Sequence, residues 1–312
     1  MSAPKILSTG RQLPGRVVTN EDLSRLVDTN DEWVYSRTGI RSRYFCADET
    51  GLDLAEGAAR QALERAGVSP EDIGVCLVAT FTPDYATPSC SCMLQRKLGL
   101  REDTLCFDLN AACAGFLYGL RTAHALLEDS SRPYALLVGA EVISRVLDLT
   151  DRNTCVLFGD GAGAAVLRRD EEAAWHTVFG SRGDDESIMV QGPGPETAAV
   201  HMDGKSVFRF AVEVVEQSIT QLLEAEGCEL NDLDLVICHQ ANARIIDHIS
   251  KKLNAREGLF YKNMERYGNT SAASIPLALD ELSQAGVLKT GMRVLTVGFG
   301  GGLTWAGALF TW

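Results

Sequence analysis

The sequence predicts an α/β fold of two similar halves, with mixed sheets and buried strands. Three observations carry this. Apolar runs of strand length at 75–80, 134–140 and 233–238 show no polar alternation, as expected of strands covered on both faces. They alternate with stretches whose apolar residues recur three or four apart, the helical period. A strand, a small-residue loop and a helix occur at 104–127 and again at 233–253, and the turn and helix at 267–284 repeat the second part of that unit. The charged break Arg168-Arg-Asp-Glu-Glu172 divides the halves, giving 1–170 and 171–312.

In chain order, a short apolar run from Pro4 gives way to Gly and Pro breakers. Thr19-Asn20-Glu-Asp-Leu reads as a helix start, a capping side chain ahead of acidic first-turn residues. Residues 30–43 carry Trp33, Arg37, Arg41 and Arg43. Guanidinium forks and an indole face suit an anionic, planar ligand; a solvated turn around a packed Trp is the competing reading. An amphipathic helix spans 52–67, Pro83 and Pro88 break the chain after the 75–80 strand, and a further helix covers 89–98. The Gly159, Gly161 and Gly163 spacing superficially resembles a nucleotide-binding loop. However, 164–167 runs on as a strand, and no acidic residue closes a second strand about 20 residues later. It reads instead as a Gly-rich strand packed closely against another element. The second half holds a loop at 192–196, a helix at 208–226 with Val212, Val215, Ile219, Leu222 and Leu223 inward, and helices at 244–253 and 275–284. Strands at 294–297 and 305–312 flank Gly298-Phe-Gly-Gly-Gly302.

The totals narrow the function classes. With 312 residues, 46% hydrophobic and 23% charged, the chain is an ordinary globular one. Met1 to Gly10 lacks a signal-peptide core, and no apolar run approaches the roughly 20 residues of a membrane span, so a cytoplasmic location is the default. Nine cysteines without a Cys-x-x-Cys pair suggest free thiols in a reducing compartment. Five scattered histidines show no metal-ligand spacing beside them, so no metal is expected. A net charge of −13 argues against nucleic acid and anionic membranes, though not against a local basic patch.

The chemistry concentrates at Asp108-Leu-Asn-Ala-Ala-Cys-Ala-Gly-Phe116. Cys113 lies where a strand turns into a helix, with small neighbours on both sides. Unpaired helix N–H groups and the helix dipole favour a thiolate there, the nucleophilic form. The alternative is a small buried hydrophobe. His239 and Asn269 also follow a strand or open a helix, and sites in α/β proteins gather at that edge. A Cys with a distant His and Asn fits acyl transfer through a thioester.

Four motifs in order make this specific: Asn110-Ala-Ala-Cys113-Ala-Gly-Phe, His239-Gln-Ala-Asn242, Tyr267-Gly-Asn269-Thr-Ser-Ala-Ala-Ser and Gly298-Phe-Gly-Gly-Gly-Leu-Thr-Trp305. With Asp151-Arg and Phe158-Gly-Asp-Gly-Ala-Gly-Ala, the chain resembles the β-ketoacyl-[acyl-carrier-protein] synthase III family over nearly its whole length. The resemblance implies a thiolase fold: two pseudo-symmetric halves with five-stranded mixed sheets, layered α-β-α-β-α, in a homodimer. It implies the initiating condensation of type II fatty acid synthesis. Cys113 would take an acyl group from CoA, and malonyl-[acyl-carrier protein] would lose CO₂ and attack it. The CoA thioester is a substrate, and no cofactor is implied. Backbone N–H groups of Cys113 and Gly301 would hold the first oxyanion, and His239 Nε2 with the Asn269 amide the enolate.

By the same resemblance Trp33 and Arg152 would sandwich the adenine of CoA, Arg37 would meet a phosphate and Asn242 the pantetheine arm. Arg209, Arg244, Lys251 and Lys252 would meet the acidic carrier protein. Independently, Arg244, Lys251 and Lys252 are seven and eight apart and share a helix face; a merely solvated face is the competing reading. Thr87 would reach across the dimer into the acyl pocket. Being smaller than the aromatic of some members, it implies room for primers longer than acetyl or branched. A condensing enzyme of specialised metabolism shares nearly all these motifs. A silent partner subunit should lack the nucleophile, a biosynthetic thiolase needs a second cysteine near the C-terminus, and elongation enzymes carry two histidines. A nicotinamide dehydrogenase fails the glycine fingerprint.

Overall fold

The computed structural model describes residues 3–170, 175–192 and 199–312. From the N-terminus, strands β1 (Ala3–Gln12), β2 (Arg16–Thr19), β3 (Ser42–Phe45), β4 (Ile73–Ala79), β5 (Leu105–Leu109), β6 (Tyr134–Glu141) and β7 (Gly161–Asp170) alternate with helices α1 (Asn20–Ser24), α2 (Asp31–Thr38), α3 (Gly51–Ala66), α4 (Cys90–Leu98) and α5 (Gly115–Glu128). Strands β8 (Trp175–Asp184), β9 (Ile188–Val190), β10 (Val200–Met202), β11 (Leu235–Cys238), β12 (Arg293–Gly300) and β13 (Gly302–Thr311) follow, with helices α6 (Gly204–Glu226), α7 (Ala243–Lys252), α8 (Met264–Tyr267) and α9 (Ser274–Gln284).

Local chemistry sets the element ends. Thr50 caps α3 in a reciprocal capping box with Asp53, and Gly67 ends the helix in the left-handed region at φ 63°. Its buried stripe, Leu54, Ala55, Ala58, Ala59 and Ala62, follows the helical period. Helix α6 starts at Gly204, earlier than its apolar spacing indicates, because Asp203 accepts from the Lys205 N–H and fixes the first turn. The expected loop at 192–196 lies outside the described residues beyond Gly192, as do the last two residues of the charged break at 168–172.

The repeat seen in the sequence becomes a repeat of sheet topology. One sheet runs β1-β7-β6-β4-β5, with pairings antiparallel, antiparallel, parallel and parallel along that order. The other runs β8-β13-β12-β11, antiparallel, antiparallel and parallel. It has four strands among the described residues where five were expected. The fifth is reduced to a single parallel bridge, Phe260 against Val236, with the Val236 N–H donating to Leu259 and the Tyr261 N–H to Val236. Only four residues separate Gly258, at φ 78°, from Asn263, where the chain turns into α8, so a ladder has little room to grow.

Helices α3 and α4 cover the outer face of the first sheet, where Leu54 and Leu94 pack with Cys76, Val78 and Leu136. Helices α6 and α7 cover the outer face of the second, through Val215, Ile219, Ile245 and Ile249. Between the sheets lie α5 and α9, whose Phe116, Leu120, Ile275 and Leu279 share one core with Leu77, Leu137 and Ile237. This α-β-α-β-α layering is the thiolase fold. The Gly-rich run at 159–163 is explained here: a Cβ on Gly163 would stand 2.8 Å from Leu277 N on α9, so only glycine lets the central helix lie flat on β7. No helix among the described residues is long and apolar enough to cross a membrane.

Candidate active site

The start of α5 sits in the middle of the molecule, and Cys113 stands just before it. After β5, Asn110 Oδ1 accepts the Ala112 N–H at 3.0 Å, and Ala112 takes a positive φ of 46°. That turn projects Cys113 from the one-turn 3₁₀ segment Ala112–Ala114 that leads into α5. From the second sheet, the β12–β13 hairpin closes over it. A Cβ on Gly300 would lie 2.8 Å from Cys113 N and 3.1 Å from Sγ. Glycine is therefore required where the two sheets' ends meet.

His239 continues directly from β11, its N–H donating to Val297 at 2.7 Å. The ring is buried, edge-on to Phe299 at 5.3 Å, and Nδ1 lies 2.7 Å from Ser274 Oγ at the start of α9. That hydroxyl also accepts a long contact from the Gln240 N–H, at 3.5 Å. In the tautomer in which this hydroxyl donates to Nδ1, the ring proton stands on Nε2. Burial lowers the His239 pKa to about 3, so the imidazole is neutral at working pH and acts as a donor. Asn269 is tied to the first sheet's Gly-rich segment: its N–H donates to Leu157 and its carbonyl accepts from Gly159. Asn269 Oδ1 accepts from the Ser271 N–H at 2.9 Å, so its NH₂ end remains to donate elsewhere.

Cys113, His239 and Asn269 line one cavity of about 650 Å³, open mouth included, together with Asn242, Phe299 and Gly300. Much of the remaining wall is apolar, from residues such as Ile188, Met202, Phe208 and Leu303. One expectation meets an opposing influence in this geometry. Helix-end donors were expected to ionise Cys113, but burial pushes its thiol up to about 12, and the nearby Glu141 charge adds to that. Desolvation in the buried pocket thus opposes ionisation of the resting sulfur.

Next to Asn242 of the cavity wall, Trp33 lies between two guanidinium groups, Arg37 at 4.5 Å and Arg152 at 4.7 Å from the ring centroid. Arg152 is steadied by Asp28, and Asn242 Nδ2 donates to the Arg37 carbonyl at 3.1 Å while its Oδ1 caps α7. The grouping of Arg41 and Arg43 with these residues is corrected. Arg43 is fully buried, donating to the Val18 and Val156 carbonyls, and Arg41 is held by Asp31 and Glu265. Thr87 is exposed between β4 and α4 and does not line the cavity of its own chain. Gly301 lies against Ala112 and Ile188, one residue beyond the glycine that touches Cys113. Arg209, Arg244, Lys251 and Lys252 are all exposed, and Lys252 pairs with Glu216 at 2.6 Å.

Sequence reasoning missed Ser274 as the partner of His239, and it missed Ser271 and Glu141 beside Cys113. Ser274 closes the motif that begins at Tyr267, so its position was visible though its role was not. Glu141, a lone acid ending an apolar strand, was the one available signal for the third.

Two family models match the chain: "3-Oxoacyl-[acyl-carrier-protein (ACP)] synthase III" over residues 107–183 and its C-terminal counterpart over 223–312. Among curated relatives, the beta-ketoacyl-[acyl-carrier-protein] synthase III of Clostridium acetobutylicum is 43% identical, spanning 100% of this chain and 99% of its own. That of Clostridium perfringens is 44% identical, over 99% of each. Among solved structures, the 3-oxoacyl-[acyl-carrier-protein] synthase III of Aquifex aeolicus superposes with a TM-score of 0.94 at 40% identity, covering 99% of this chain and 100% of that one.

Proposed function

The chain belongs to the 3-oxoacyl-[acyl-carrier-protein] synthase III family, and from that membership we propose that it performs the initiating condensation of type II fatty acid synthesis. An acyl-CoA and malonyl-[acyl-carrier protein] give a 3-oxoacyl-[acyl-carrier protein], CoA and CO₂. The observation that carries this reading is the shared cavity of Cys113, His239 and Asn269, each brought there by a different element.

Cys113 Sγ attacks the thioester carbonyl, and the backbone N–H groups of Cys113 and Gly301 hold the oxyanion. CoA leaves and an acyl-Cys113 remains. Malonyl-[acyl-carrier protein] then enters. Loss of CO₂ places negative charge on its thioester oxygen, where the neutral His239 Nε2–H and the Asn269 amide donate. A neutral donor suits an enolate because its proton is not lost to the medium, and each well-placed donor contributes about 3 kcal/mol. The carbanion attacks the acyl carbon, and the sulfur leaves.

The mouth suits CoA. Trp33 between Arg37 and Arg152 offers a stacking slot for the adenine, with guanidinium charge for phosphates, and Asn242 stands where the pantetheine arm would pass. The exposed cations Arg209, Arg244, Lys251 and Lys252 would dock the acidic carrier protein. The active form is a homodimer in the cytoplasm, Thr87 of one subunit reaching the acyl pocket of the other and leaving space for longer or branched primers. Metal and redox cofactors have no role in these steps. Turnover of acetyl-, isobutyryl- and octanoyl-CoA with malonyl-[acyl-carrier protein] tests both parts. Release of CO₂ with a 3-oxoacyl product is expected; no condensation with any primer refutes the activity, and strict acetyl preference refutes the role of Thr87.

A further inference from the structure

Acylation requires Cys113 to lose a proton, and the obvious acceptor is closed. His239 is occupied at Nδ1 by Ser274 Oγ at 2.7 Å, and burial opposes its taking a second proton. On another side of the sulfur lies the turn Ser271–Ala273, wedged between the Cys113 turn and the end of β6. A Cβ on Gly139 would stand 2.5 Å from the Ala272 carbonyl, so this turn rests directly on the strand that ends in Glu141. Ser271 holds a positive φ of 49° in this turn.

Glu141 is fully buried and half satisfied. Its Oε2 accepts from Thr82 Oγ1 at 2.6 Å, Thr80 Oγ1 at 3.2 Å, and the Phe81 and Thr82 N–H groups at 3.2 Å. Its Oε1 has no hydrogen-bond partner, and neither has the buried Ser271 Oγ. Two such atoms left idle side by side in a dry interior are costly unless something uses them. Although no hydrogen bond of ordinary geometry is closed at rest, the Ser271 hydroxyl is near enough to favour ionisation of both Cys113 and Glu141. The elements packed on Glu141 supply Thr80, Phe81, Thr82, Gly161 of β7 and Ser271; Cys113 is the titratable group whose ionisation it opposes.

We propose that Ser271 and Glu141 form a proton relay for Cys113. As Sγ bonds to the acyl carbon, its proton passes to Ser271 Oγ, and the Ser271 proton passes to Glu141 Oε1. The carbon–sulfur bond to CoA breaks with its electron pair on the CoA sulfur, which takes a proton from water. In the condensation, the carbon–Sγ bond breaks with its pair on Sγ, and the stored proton returns from Glu141 through Ser271. Nothing is oxidised or reduced, and the protein ends the cycle with the protons it began with. Burial raises the Glu141 pKa to about 7 against its hydrogen-bond donors, the range in which a carboxylate both takes and returns a proton at neutral pH.

The test is single-turnover acylation by an equimolar mixture of acetyl-, isobutyryl- and octanoyl-CoA, read by intact mass from pH 5.5 to 10. It is run on the wild type, Glu141→Gln, Ser271→Ala and the double variant, each checked by circular dichroism. The wild-type rate should rise with a midpoint near 7. Either variant should acylate about a hundredfold more slowly at pH 7, with the midpoint moved to about 8.5 or above, the range of an unaided thiol. The double variant should be no slower than either single one. An unchanged midpoint overturns the relay. So does a lower one, expected if Glu141 acted only by its charge, and so do additive effects. If Glu141→Gln does not fold, Ser271→Ala decides alone. The relay rests on Cys113 being the acylated nucleophile. A wild type that never acylates removes that reading, whereas a normal wild type with unshifted variants removes the relay alone.

Discussion

Ser274 decides what His239 can do. A hydroxyl that gives its proton to Nδ1 selects the tautomer with Nε2–H as the donor, and burial keeps that ring neutral to about pH 3. His239→Ala and Asn269→Ala should therefore still form acyl-enzyme but release CO₂ from malonyl-[acyl-carrier protein] roughly 10²–10³-fold more slowly; parallel loss of acylation would contradict the division of labour. The same burial has a stability consequence of definite sign. Between pH 6.5 and about 3 the unfolded histidine binds a proton and the folded one does not. Stability should then fall with acid, by on the order of 2 kcal/mol from this group between pH 7 and 5. Urea midpoints of the wild type and His239→Gln at those two pH values would show the difference between them narrowing. Glu141 runs the opposite way: its folded pKa is raised, so its contribution is full below 4.5 and is lost as pH rises through about 7. Glu141→Gln should accordingly stabilise the protein at pH 8, by up to about 3 kcal/mol, measurable as a higher urea midpoint. At this scale the sequence was legible where a motif names the residue. Cys113, His239 and Asn269, which line one cavity, were each singled out that way. The protonation state of Cys113 could not be, because it depends on burial and on Glu141, which β6 and the 271–273 turn bring close only in the folded chain.

Elements position these groups by close approach of backbone. The β12–β13 hairpin reaches Cys113 only because Gly300 has no side chain. Gly300→Ala should abolish acylation by displacing the hairpin and should cost about 1–3 kcal/mol of stability; wild-type acylation rates would show that the hairpin is not seated as described. Helix α2 does comparable work at the mouth. Trp33→Ala should raise KM for acyl-CoA about tenfold or more, since stacking of this kind contributes about 1–3 kcal/mol, while leaving kcat close to wild type. Apolar runs and helical spacing located the central buried strands and the longer helices, since burial on both faces writes itself into composition; β2, β3, β8, β9, β10, α2 and α8 went unread, being short or only partly buried. The start of α6 was less visible because it rests on the Asp203 cap rather than on spacing. The fifth strand of the second sheet was expected from the resemblance, yet the chain has only residues 259–263 to spend between Gly258 and α8. Arg43 was grouped with ligand-binding cations on proximity in sequence. Alternation along β3 instead turns it inward, where backbone carbonyls hold it.

The whole molecule is acidic, at −13, yet Arg209 on α6 and Arg244 and Lys251 on α7 are exposed, with no carboxylate within 4 Å among the described residues. A local positive face on a negative body steers an acidic partner and repels its misplacement elsewhere. Arg244→Glu with Lys251→Glu should raise KM for malonyl-[acyl-carrier protein] about tenfold and weaken its salt dependence, with acylation by acyl-CoA unchanged. The two-sheet repeat serves the same end as the charge. One sheet supplies the sulfur and the other supplies His239, with α9 and its preceding turn supplying Ser274 and Asn269, so a single cavity sees both steps. The most direct test is a chase. The protein is pulsed with acyl-CoA, the labelled residue is identified by peptide mass spectrometry, and malonyl-[acyl-carrier protein] is then added. The acyl group should sit on Cys113 and leave only with release of CO₂ and a 3-oxoacyl product. A label on any other residue, or an acyl-Cys113 that malonyl-[acyl-carrier protein] cannot discharge, would contradict the assignment.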